Sequence, residues 1–102
     1  MSIQSTLAKL KRKGIPSAYG RFKKKQDLPF LVYLGAGQQN TAMDNTYYYS
    51  ENEYQLEYYF KEKNEAKERA IEEQLLADGY LYEKSQDVYI EGEDVWVIYY
   101  TV

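Results

Sequence analysis

The side chains of this 102-residue chain that could do chemistry are carboxylates, tyrosines and lysines, because it contains no cysteine and no histidine. Without cysteine there is no disulfide, no zinc–thiolate site and no thiol nucleophile. Without histidine the commonest metal ligand and the commonest general base near neutral pH are also gone. What remains is carboxylate chemistry. Glu91 with Glu93 and Asp94, and Glu72 with Glu73, are paired acids. On a turn tip or a helix such pairs read as solvated charge rather than as an acid/base couple. No Ser-His-Asp set, G-x-S-x-G, P-loop or calcium-loop spacing occurs. Gly35 and Gly37, with Gln38, Gln39 and Asn40, suggest a phosphate cradle, but the third glycine of G-x-G-x-x-G is missing. The expectation is a protein that is not an enzyme and uses no cofactor, metal or small-molecule substrate.

Tyrosine is the other chemistry-bearing residue, at 13 copies, six of them in the sixteen residues NTYYYSENEYQLEYYF at positions 45–60. Rings beside Lys and Arg are how single-strand binders hold nucleobases. Here the tyrosine-rich strands also carry Glu51, Glu53 and Glu57, and the sequence pI is about 5.0. The basic residues lie elsewhere: residues 1–34 hold eight Lys or Arg against Asp27, a balance of +7, and the remainder carries −10. Such asymmetry describes partners rather than fold. The lysine run Lys23, Lys24, Lys25 can meet phosphate, or it can meet Glu51, Glu53 and Glu57 of another copy. Tyrosine supplies a large rigid area and a hydroxyl for the wet side of an interface, so Tyr48 and Tyr59 join those charges as candidate assembly residues.

These residues need elements to hold them. Ile3, Leu7 and Leu10 follow a helical stripe, and Lys11 to Lys13, Gly14 and Pro16 mark its end, predicting a helix over about 3–13. Strands are predicted at about 18–22 and 30–34, the latter the apolar run PFLVYLG. The polar stretch 36–46 reads as a long loop, and long loops in compact domains are usually functional or mobile. It is the candidate docking loop, with Gly35, Gly37, Gln38, Gln39, Asn40, Asp44 and Asn45. TYYYS (46–50) and 53–61 read as two strands joined by a SENE turn, with Tyr54, Leu56, Tyr58 and Phe60 alternating against Glu53, Gln55, Glu57 and Tyr59. A second helix spans about 64–78, then strands at 80–84 or 87–91 and at 94–102. The sum is a single α+β domain over 1–102: one antiparallel twisted sheet with an N-terminal and a second helix, in the order α-β-β-β-β-α-β-β. No apolar run approaches the roughly 20 residues of a membrane span, and MSIQSTLAKLKRKG lacks the apolar core of a secretory signal. A soluble cytosolic chain is expected.

The runs GIPSAYGRFK (14–23), PFLVYLG (29–35), DNTY (44–47), YQLEYYFKEK (54–63), the acidic helix ending in LL and DVYIEGEDVWVIYY (87–100) together resemble one family of small phage proteins. These are similar to head–tail joining, or tail-completion, proteins of the tail-terminator fold in long-tailed phages and prophages of Gram-positive bacteria. The resemblance covers nearly the whole chain and rests on packing and turn patterns. It implies a subunit of a ring, a hexamer in that fold, between the head connector and the tail tube. Its partners would then be further copies of itself and connector or tail-tube proteins, with no membrane and no small-molecule substrate, and any DNA contact would not be sequence-specific. Its place would be the host cytoplasm during assembly and then the head–tail junction of the virion. The alternative is a small nucleic-acid-binding or regulatory protein encoded beside such a module.

Overall fold

Both helices begin on a side-chain cap and end in the same hydrogen-bonded turn. The computed structural model describes residues 2–43 and 47–102, the side chains of 38–52 excepted. Helix α1 (Ile3–Arg12) starts at Ser2, whose hydroxyl accepts from the Ser5 amide at 3.2 Å. It closes with the Gly14 amide bonded to the Lys11 carbonyl and the Ile15 amide to the Leu10 carbonyl, which the Lys13 amide also reaches at 2.9 Å. Leu10 and Ile15 are fully buried as the apolar contact of that turn. Helix α2 (Glu65–Ala77) starts at Asn64, whose side-chain carbonyl oxygen accepts from the Lys67 amide at 3.2 Å. It ends the same way, with Gly79 bonded to Leu76 and Tyr80 to Leu75.

Six strands form one sheet in the order β1-β2-β3-β6-β4, with β5 also paired to β6. They are β1 (Ser17–Tyr19), β2 (Phe30–Met43), β3 (Tyr47–Phe60), β4 (Glu83–Lys84), β5 (Val88–Ile90) and β6 (Val95–Thr101). One sheet face carries Leu31, Leu56, Tyr58, Phe60, Ile98 and Tyr100, which pack with Ile3, Leu7 and Leu10 of α1 and Ile71 and Leu75 of α2 into the core. The alternation of Tyr54, Leu56, Tyr58 and Phe60 therefore marks the helix-facing side. The other face presents Phe30, Val32, Gln55, Glu57, Tyr59, Val95 and Val97, by the two-residue period of the strands.

The sheet is mixed, not purely antiparallel. Strand β1 runs parallel to β2, pairing Ser17 with Leu31 and Tyr19 with Tyr33. The chain does not fold back after Tyr19. Residues 20–29 instead cross the face away from the helices, where Phe22 packs edge-on against Phe30 at 4.9 Å, so β2 arrives pointing the same way as β1. The order also differs from the one expected. The strands expected at 46–50 and 53–61 are one continuous strand, and the alternatives at 80–84 and 87–91 are both present in part, as β4 and β5.

The stretch 36–46 is not a loop over its described part, nor is SENE a turn. Gly35, Gly37, Gln38, Gln39 and Asn40 lie within β2, and Gly37 to Asn40 pair in register with Glu53 to Ser50. Tyr47, Tyr48 and Tyr49 of β3 pair with Met43, Ala42 and Thr41 rather than with the tyrosines of 54–60. Ladder hydrogen bonds come from the backbone, so a polar sequence can pair as well as an apolar one. The candidates Asp44 and Asn45 lie outside the described residues.

Candidate assembly surfaces

Strands β2 and β3 are each 14 residues long, about 46 Å of extended chain at roughly 3.3 Å per residue. The sheet supports only their inner halves, since β1 reaches residues 31–33 of β2 and β6 reaches 55–60 of β3. Beyond that, 37–43 and 47–53 pair only with each other, as a two-stranded arm. It is consistent with principal extents of 50 × 27 × 26 Å. At the arm's root the register shifts by one residue between Gly35 and Gly37, which leaves Ala36 as a bulge. Gly37 sits at φ 104°, a conformation that residues with a Cβ rarely adopt. The candidates Tyr48 and Glu51 lie on this arm, and Glu53 stands at its base.

A second surface lies where residues 20–28 cross the open sheet face. Between them is a groove of about 690 Å³, lined by Phe22, Leu28, Phe30, Val95 and Tyr59 and also by Arg21, Lys24 and Lys25 of the crossover. Glu57 lines the same groove. Its carboxylate accepts from the Tyr59 hydroxyl at 2.8 Å and from the Gln55 amide at 3.1 Å. Burial, reinforced by that bond, raises the Tyr59 hydroxyl well above its ordinary pKa, so it remains a donor. Two of the predicted lysines and one of their predicted acidic partners therefore share one groove within a single chain. Lys23 stands beside them in the sequence, exposed.

Sequence reasoning missed a third cluster, which joins five charges from four segments. Glu68, on α2, is 3% exposed and lies 2.8 Å from Lys63 and 3.0 Å from Lys84. Lys84 also reaches Glu72 at 2.9 Å, and Lys63 reaches Asp87 at 3.0 Å. The Tyr100 hydroxyl donates to Glu72 at 2.7 Å. Burial alone would push the Glu72 carboxyl up. The Lys84 ammonium and the Tyr100 and Tyr82 hydroxyls outweigh it and hold the group below the usual carboxylate range. This is a clasp of three carboxylates and two lysines between α2, β4 and their flanking loops. Every carboxylate in it faces a lysine. No short-range spacing announces it, because the partners come together only when α2 docks.

Of the acidic pairs read from the sequence, Glu91, Glu93 and Asp94 lie at the exposed turn between β5 and β6, and Glu73 is exposed on α2. Among the described residues no group of three or more carboxylates is placed to hold a metal ion, and no helix is long and apolar enough to cross a membrane.

No protein-family model and no curated protein matches the sequence. What the chain can do is therefore argued from its surfaces.

Proposed function

We propose that this chain is a non-enzymatic assembly protein, a head–tail joining or tail-completion subunit of a long-tailed phage or prophage, which acts in a ring between the head connector and the tail. The observation that carries the reading is the arm. A two-stranded ribbon standing alone in water is marginally stable, and an open strand edge invites pairing with another chain. A 102-residue protein that extends such a ribbon gains most from it when the ribbon docks. The resemblance of the whole sequence to that phage family agrees in kind, and the ring implied there requires two different, complementary surfaces per subunit. On this reading the protein works in the host cytoplasm during assembly and ends in the virion.

Deleting the gene from the phage or inducible prophage that carries it and imaging the lysate by electron microscopy tests this directly. Separate DNA-filled heads and finished tails are expected. Intact joined particles overturn the reading.

One observation favours a second reading, as a nucleic-acid-binding or regulatory protein: cations flank an aromatic groove on the open sheet face. That reading requires DNA affinity that falls steeply with salt.

A further inference from the structure

The arm and the groove have opposite characters, and both belong to the same chain. From Gln26 to Phe60 the sequence contains no lysine or arginine, and the arm residues 37–53 carry Asp44, Glu51 and Glu53, a charge of −3. The crossover RFKKK, residues 21–25, carries +4. Arg21, Lys23, Lys24 and Lys25 are all exposed, and among the described residues none is in an ion pair, as is also true of Lys11, Arg12, Lys13 and Lys67 elsewhere on the surface. The groove is not uniformly basic, since Asp27, Glu57 and Glu93 also line it. Glu57 is held by donors of its own strand, however, which leaves the four exposed cations of the crossover without an ionic partner among the described residues.

Apolar content matches as well. The groove floor is Phe22, Leu28, Phe30 and Val95. The arm sequence holds Met43 and three consecutive tyrosines, 47–49, next to its acids.

We infer that the groove beneath the basic crossover receives the acidic, tyrosine-bearing arm of a second copy of this chain. The inference rests on the assembly reading and names the contact that would build it. Glu57 then belongs to the receiving side, with the lysines, and Glu51 and Glu53 belong to the entering side. Because donor and acceptor surfaces differ, the contact is head-to-tail and repeats from copy to copy, as a closed ring needs.

The native chain has no cysteine, so introduced thiols report a single contact. Lys24→Cys and Glu51→Cys variants are purified separately, mixed and oxidised mildly. The expected product is a disulfide that joins position 24 of one chain to position 51 of the other, identified by peptide mass spectrometry, in excess of either homotypic product. A predominant product joining two position-51 thiols, or no crosslink at all, overturns the inference. In parallel, replacing Lys23, Lys24 and Lys25 together by Glu should weaken self-association about tenfold, as the loss of several rim charges does. Adding Glu51→Lys and Glu53→Lys should restore it. If the lysine variant loses DNA binding while self-association is unchanged, the groove serves nucleic acid and the inference falls. The lysate experiment is read independently: unjoined heads and tails without the crosslink would leave the assembly role standing and remove only this contact.

Discussion

Lys84 holds two carboxylates of α2 at once, Glu68 at 3.0 Å and Glu72 at 2.9 Å, and of the two Glu68 is almost wholly out of water. Removing one partner of a buried pair leaves the other uncompensated, at a cost of several kcal/mol. Lys63 still faces Glu68 in a Lys84→Met variant, and the Lys84 side chain is a third exposed. A loss of about 2 kcal/mol is expected, less than a fully buried pair would cost, read from the urea midpoint. An unchanged midpoint would mean that desolvation cancels the attraction. The pH dependence follows from Glu72, whose folded pKa is depressed below the ordinary 4.5. The unfolded chain then binds more protons near that pH, so the contribution is complete above about 4.5 and fades as pH falls through the folded value. Urea midpoints should therefore fall as pH drops from about 5 to 3. In Glu72→Gln that slope should flatten, and at neutral pH the variant should already be about 2 kcal/mol weaker.

At the level of elements, the arm and the body separate. Among the described side chains the core draws on residues 3–15, 31, 56–60, 71–75 and 98–100, and the arm strands pair with each other beyond the reach of β1 and β6. Excising 38–52 and joining the strands by an Asn-Gly turn should leave the melting temperature within about 4 °C of the parent, under 1 kcal/mol for a domain of this size, while self-association is lost. A body that unfolds on excision would show that the arm stabilises its own chain. The helices, both their ends and the alternating strand 53–60 were legible in the sequence because each signal is local: a stripe, a glycine stop, a two-residue period. The arm was not, because its paired residues Gln38, Gln39 and Asn40 are polar, and the tyrosines of 47–49 suggested a partner among the tyrosines of 54–60. The parallel β1 was hidden for a related reason. Nothing in YGRFKKKQD says whether the chain turns back or crosses the sheet. The interface candidates were legible as charge types, but not as places: Lys24, Lys25 and Glu57 share a groove that only the crossover creates.

For the whole molecule, the +7 of residues 1–34 is shared between the end of α1 and the crossover, which carries +4, and the arm carries −3 of the −10 over the rest. An association joining them should respond to ionic strength, since screening at 0.5 M salt acts within about 4 to 5 Å. Light scattering should report a shift toward monomer as salt rises from about 50 to 500 mM. An association indifferent to salt would indicate that the apolar floor alone holds the copies together. The gap in positive charge has a practical consequence too. Trypsin, which cuts after lysine and arginine, has no target between Lys25 and Lys61, whereas chymotrypsin has Tyr47, Tyr48 and Tyr49 on the arm. Trypsin therefore spares the arm and cuts the crossover at Arg21 and Lys23 to Lys25, whereas chymotrypsin reaches the arm as well as Phe22 of the crossover. If the arm of one copy enters the groove of the next, cuts after Lys24 and Lys25 by trypsin and after Tyr47 to Tyr49 by chymotrypsin should both slow as assembly proceeds.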